Sequence, residues 1–270
     1  MKKGGTTTIR PLWRKSCFFV KEDFMLTQAF DEYVSHYDMG DENIALKYNH
    51  SYRVMELNER YARELGFSEE DVELARIIGL LHDFGRFEQL RVYHSYNDAK
   101  TVDHADYSVV QLFDKGEIKK YTDNEEDYEI IKFAIKNHNK FKIPECSDER
   151  MLKHAKLIRD SDKVDIMYLL GYLGELNYKA VDAPITKEIL YSIKNHEEIS
   201  KTYVQNKNDH IAVQFAFTFD INNDICLPDM KKNLEYYYRQ VEVGDTFKEI
   251  YEEIKKYIEE RMNNHARDEV

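Results

Sequence analysis

The sequence predicts an all-α fold, and three observations carry that reading. Residues 50–65 set His50, Val54, Leu57 and Tyr61 on one stripe at helical spacing. Near the other end, Phe247, Ile250, Tyr251, Ile254, Tyr257, Ile258 and Met262 make one face of a helix. Only the run from Ala212 to Ile221 alternates enough to be read as a strand, and it serves equally as a buried helix.

Taken in order, residues 1–22 read as an irregular arm, with Gly4, Gly5, a threonine run and Pro11, and with Trp13, Phe18 and Phe19 available to pin it down. Residues 23–48 carry a helical pattern through Phe24, Leu26, Ala29, Phe30 and Tyr33, with a turn near Gly40. Gly66 stops the helix over 50–65. Ser68, with Asp71 three positions on, reads as the N-cap of the next helix, and Glu69, Glu70 and Asp71 suit the positive end of its dipole. That helix runs to His82. A looser loop follows from Arg91 to Val102, after which His104 opens a short helix that Gly116 breaks. Residues 125–138 form another helix, with His138 in phase with Ala134 and Ile131, and Ser147, Asp148 and Glu149 start a long one. After Asp182-Ala183-Pro184 the composition turns rich in Tyr and Lys. The expected organisation is therefore an arm (1–22), a helical domain (23–182) and a mostly helical C-terminal extension (183–270).

Composition narrows the function. With 42% hydrophobic and 33% charged residues in 270, the chain is an ordinary globular protein with enough length for a real core. A net charge of −12 argues against general affinity for DNA or RNA, which rests on neutralising phosphates. The three cysteines, Cys17, Cys146 and Cys226, are unpatterned and read as reduced thiols. No run reaches the length of a membrane span, and Cys17-Phe18-Phe19-Val20 is too short for a signal-peptide core, so the expected location is the cytoplasm.

The chemistry concentrates at Ile77-Ile78-Gly79-Leu80-Leu81-His82-Asp83-Phe84-Gly85-Arg86, where an apolar helix ends in a His-Asp pair and a glycine then releases the chain. Burying that carboxylate costs several kcal/mol unless something satisfies it, and a divalent cation would do so. Adjacent helical residues point about 100° apart, which suits a split role, with His82 on one ion and Asp83 bridging two. Asp162 is a second acid on an apolar stripe, in phase with Ala155, Ile158, Ile166 and Leu169; Asp160 and Asp165 are its rivals. With His50, His104 and His138 this makes four histidines and two carboxylates, a nitrogen and oxygen set suited to Mn, Fe, Zn, Ni or Co. His104 has a solvated helix-start reading beside its ligand reading, and His138 a core reading. His36, His94, His154, His196, His210 and His265 read as non-ligands, with His154 facing water.

The ordered set His50, His82-Asp83, His104, His138 and Asp162 resembles the HD-domain superfamily of metal-dependent phosphohydrolases, a helical fold, over roughly residues 45–175. The resemblance implies two divalent transition-metal ions, one on His50, His82, Asp83 and Asp162 and the other on Asp83, His104 and His138, with a bridging water or hydroxide as nucleophile. Asp83 and Arg86 would then be the catalytic residues. Arg86 reads as a phosphate clamp or as a salt bridge with Glu88 or another acid, and Lys140, Arg159 and Lys163 are further candidates for binding substrate. The implied partner is a small phosphorylated substrate, a nucleotide or another phosphate ester. Two alternatives share the fold: a di-iron oxygenase with the same ligand set, and a non-catalytic ligand sensor. The tyrosine-rich C-terminal third could shape the pocket or make a homo-oligomer contact.

Overall fold

A computed structural model describes residues 20–173, 180–241 and 245–268, and no strand occurs among the described residues. The helices are α1 (Val20–Val34), α2 (Glu42–Glu64), α3 (Glu69–Leu81), α4 (Phe84–Tyr93), α5 (His104–Val109), α6 (Tyr128–Asn137), α7 (Glu149–Tyr168), α8 (Lys187–Lys194), α9 (Lys207–Phe215), α10 (Leu227–Gln240) and α11 (Asp245–Asp268). The all-α reading holds. Trp13, Phe18 and Phe19 lie outside the described residues.

Short polar side chains set the helix starts. Asp41 accepts from the Asn43 amide, Ser68 from Asp71, Asp103 from Ala105 and Asp106, and Asp148 from Met151, each satisfying amides that a first turn leaves open. Gly66 and Gly116 adopt positive φ of 71° and 77°, the left-handed geometry that lets the chain turn away. Several boundaries differ from the sequence reading, among them the start of the helix expected over 50–65, which lies at Glu42. The first helix begins at Val20 instead of residue 23. Gly85 does not release the chain after the doublet: it lies inside α4, which starts at Phe84.

The packing forms two hydrophobic clusters. One joins α1, α3, α4 and α6 to the early part of α7. In it, Phe84 and Phe87 project from α4 onto α1, where the Tyr33 ring stacks on Phe84 at 3.8 Å and Phe30 meets Phe87 edge-on at 5.8 Å. The other cluster joins Tyr61, Ala62, Val72 and Ala75 to Leu157, Val164 and Met167 of α7 and to the interior faces of α8 to α11. Helix α7 therefore runs between two cores. The stretch from Ala212 to Ile221 resolves as helix: it is the end of α9 and a 3-10 turn over Ala216–Asp220.

That position of α7 corrects the reading of His154. The side chain is 1% exposed and its Nε2 lies 3.1 Å from Asp71 Oδ1, with Arg150 and Lys153 on the same carboxylate. A helix buried on more than one side has no face that is solvated merely by lying off the main stripe.

Candidate metal centre

Six side chains from five elements converge where α2, α3, α5, α6 and α7 meet. His50 comes from the middle of α2, His82 and Asp83 from the junction of α3 and α4, His104 from the first turn of α5, His138 from the end of α6 and Asp162 from α7. All are buried, Asp162 being the most exposed at 8%. His50 Nε2 lies 3.1 Å from His82 Nε2, and His104 Nε2 lies 3.1 Å from His138 Nε2. Asp83 stands between the pairs. Its Oδ2 is 3.5 Å from both His50 and His82, while its Oδ1 is 3.5 Å from His104 and 3.8 Å from His138. Asp162 Oδ1 faces the first pair, 3.1 Å from His50 and 3.6 Å from His82.

The far side of each imidazole settles what the near side can offer. His82 Nδ1 faces the Gly79 carbonyl at 2.8 Å, and His138 Nδ1 the Ile135 carbonyl at 2.6 Å. His50 Nδ1 faces Asp165 Oδ2 at 2.6 Å, and His104 Nδ1 faces the Asp98 carboxylate. Carbonyls and carboxylates only accept, so each Nδ1 carries the proton and donates it. A neutral ring then presents a bare lone pair at Nε2.

Two lone pairs 3.1 Å apart repel unless a cation lies within reach of both. Nitrogens held about 2.1 Å from an ion at neighbouring positions fall roughly 3 Å apart, so both pairs have the spacing of cis ligands. Asp83 Oδ1 adds a second test: it is buried and has no hydrogen-bond partner among the described residues. The donor set and this orphaned oxygen both fit divalent metal. Three ligand groups emerge: His50, His82 and Asp83; His82, His138 and Asp162; and Asp83, His104 and His138.

Electrostatics agree with that chemistry. Burial would raise the Asp83 pKa, but Lys47, His82, His104 and Arg86 hold it well below the usual carboxylate range. Burial, reinforced by His104 and His82, pushes His138 down to about 3, so it stays neutral. His50 is opposed by burial and Lys47, yet Asp162 and Asp165 hold it above its ordinary value. A cation at Nε2 would satisfy those same carboxylates in place of a proton.

The run from Arg159 to Asp165 divides its tasks. Asp162 faces the histidines. Asp165 orients His50 and is itself gripped by Arg53, at 2.7 Å from Nε and 3.0 Å from Nη2. Asp160 accepts from the amides and side chains of Asn222 and Asn223, at 2.7 to 2.9 Å. Of the three acids, only Asp162 lies against the imidazole Nε2 atoms.

The expected substrate contacts separate. Arg86, Lys140 and Lys163 line a cavity of about 400 Å³ that opens from Asp83, His104, His138 and Asp162. Arg86 forms a salt bridge, but to Asp98 at 2.8 Å and not to Glu88, which pairs with Arg91. Its Nη1 also donates to Gln89 and to the Tyr96 carbonyl, while its Nε is buried without a hydrogen-bond partner, 3.7 Å from Asp83 Oδ1. Lys140 is held by Asp103 and Asp106, and Lys163 by Asp220. Arg159 corrects the expectation: at 2% exposed it donates to the carbonyls of Asn137 and Lys140 and forks onto Asp220, so it braces the framework and does not face the cavity.

Two residues escaped the sequence reading. Lys47 lines the cavity with its Nζ 2.6 Å from Asp83 Oδ2. It sits three positions ahead of His50 and shares its helix face, a usable signal. Asp98 opens a single 3-10 turn, Asp98–Lys100, too short to carry a period, so nothing local marks it as the partner of His104.

Residues 48–167 match the family model described as HD domain. No curated protein and no solved structure matches the chain. Among the described residues, no helix is long and apolar enough to cross a membrane.

Proposed function

We propose, on the match of residues 48–167 to the HD domain model, that the chain is an HD-family metal-dependent phosphohydrolase acting on a small phosphate ester. The observation that carries this reading is the Asp83 carboxylate, whose two oxygens are divided between two imidazole pairs beside a cavity lined with cations. His50, His82, Asp83 and Asp162 would hold one ion, and Asp83, His104 and His138 the other. When bound, such ions supply Lewis acidity toward phosphoryl oxygens and lower the pKa of water.

The chain's own groups do the rest. Asp165, Asp98 and the carbonyls of Gly79 and Ile135 keep the protons on Nδ1 and fix each ring's direction. Arg86 Nε is a donor without an acceptor at the cavity end nearest Asp83, where a phosphoryl oxygen could accept from it. Lys47, Lys140 and Lys163 are each paired with an acid, so they add a softened positive field and not bare charges. Asn139 lines the same cavity, with its Oδ1 buried and without a donor.

Arg86→Ala is expected to lower turnover about ten- to a hundredfold, the loss of a charge-assisted contact. Because Arg86 also steadies Asp98 behind His104, the variant should hold metal less tightly on that side, by about tenfold. Arg86→Lys keeps the charge, loses the guanidinium Nη1 contacts to Asp98, Gln89 and the Tyr96 carbonyl, and should recover only part of the activity. Retention of full turnover in Arg86→Ala would remove Arg86 from substrate binding.

The reading itself is tested by stripping the protein, restoring Mn, Zn or Fe separately, and following phosphate release from a panel of phosphomonoesters and nucleotides with and without oxygen. Phosphate release with a redox-inert ion, unchanged by removing oxygen, is the expected result. Activity confined to iron plus oxygen, or no phosphate release from any ester, would overturn it.

A further inference from the structure

The cavity beside the candidate metal centre is lined in part by residues outside the stretch that matches the HD domain. Its polar lining includes Lys47, Asp83, Arg86, His104, His138 and Asp162, and a further wall is built from residues 198–202, Val213, Ala216, Phe217 and Asp220, together with Ile166 of α7. We infer that this wall selects the organic part of the ester, and that this part is a compact apolar group, aromatic or branched aliphatic, carrying few hydroxyls. The inference rests on the phosphohydrolase reading and specifies its substrate.

Three observations carry it. Ile166, Ile199, Val213, Ala216 and Phe217 line the cavity, as does Phe141. Polar groups placed against such a surface lose their water without gaining a partner. Several of the polar side chains that the wall contains are engaged with one another. The Ser200 and Thr202 hydroxyls bond each other at 2.8 Å, and Glu198 is turned to Asp220, which Arg159 and Lys163 already hold. Lys201 and the buried Asn139 Oδ1 remain as polar contacts, fewer than a polyhydroxylated substrate would need. Size sets the last limit, because about 400 Å³ lies near the lower end for ligand pockets, enough for a phosphate and a compact group but not for a polymer.

The wall is also fixed relative to the centre, as a selective surface must be. Arg159 grips the Asp220 carboxylate at 2.6 and 2.7 Å, and Asp160 takes the Asn222 and Asn223 amides at 2.8 Å. Both anchors lie within one helical turn of Asp162, so the part of α7 that presents a ligand also positions the segment carrying Phe217.

The experiment compares phenylphosphonate and methylphosphonate, two non-hydrolysable probes with the same anionic head, binding to the Mn-loaded full chain by calorimetry. Phenylphosphonate should bind at least tenfold more tightly. Phe217→Ala should lose about five- to thirtyfold of that affinity while leaving methylphosphonate and metal content unchanged. Should circular dichroism show Phe217→Ala misfolded, Val213→Ala carries the same comparison with a smaller loss. Equal binding of the two probes by the parent, or equal weakening of both in a folded variant, would overturn the inference. Parallel assays keep the two proposals apart. Faster release of phosphate from glycerol phosphate than from phenyl phosphate would sink the apolar wall and leave the hydrolase standing. Phenyl selectivity with no phosphate release from any ester would do the reverse.

Discussion

Asp83→Ala is expected to lose both metal ions at once, whereas His138→Ala should weaken mainly one. The reason is geometric: the two oxygens of Asp83 face both imidazole pairs, Oδ2 toward His50 and His82 and Oδ1 toward His104 and His138. Even partners behind a ligand change metal affinity by about 10- to 100-fold, so removing a shared ligand should exceed that at both positions. Activity should fall to background. Asp83→Asn separates charge from shape, since it keeps the volume but donates hydrogens where an acceptor is needed, and it should fail nearly as completely. Lys47 sharpens the comparison, because either substitution strands an ammonium that now lies 2.6 Å from Asp83 Oδ2. Elemental analysis of protein purified without chelator gives the readout. Equal metal retention in Asp83→Ala and the parent would show that the carboxylate does not bridge.

Gly85→Ala should damage both the fold and the His104 side of the centre. A Cβ at this position would sit 2.5 Å from the Ser108 amide nitrogen, 2.8 Å from the Tyr107 carbonyl carbon and 3.0 Å from the His104 carbonyl oxygen. These are backbone atoms of α5 and its continuation, so no side chain can swing aside. The Gly85 amide also donates to Ser108 Oγ at 2.8 Å, and that hydroxyl donates to the His104 carbonyl at 2.9 Å, so a displaced contact shifts the ligand's own turn. Overpacking of this kind costs about 2–4 kcal/mol, equivalent to roughly 5–15 °C in Tm for a chain of this size. Thermal melts with metal analysis should show the loss, with metal released first from His104 and His138. An unchanged Tm would mean that α5 can retreat from α4 freely.

Four of the six candidate ligands were legible as buried side chains because each faces inward from a helix or its end. His50, His82, His138 and Asp162 lie in phase with apolar residues, and periodicity reports that directly. The groups behind them were less so. Asp165 shares a face with Asp162 and could be suspected, but Asp98 reaches His104 from a single 3-10 turn, too short to leave a period to read. Arg159 was misjudged because its meaning depends on Asp220, far away in the chain, whose approach no local pattern announces. His154 was misjudged because one stripe was taken to be the buried side, while α7 is enclosed by two cores. That the C-terminal third could shape the pocket was legible, but not which residues do so, since Ala212 to Ile221 is apolar enough to fit strand or helix and its members Val213, Ala216, Phe217 and Asp220 line the cavity only through long-range packing.

Electron paramagnetic resonance of the metal-stripped protein titrated with Mn decides whether the six side chains hold two ions joined through Asp83. At full loading, about two Mn per chain and the multiline signal of an exchange-coupled pair are expected. The six-line signal of isolated Mn, with binding complete at one ion per chain, would contradict that.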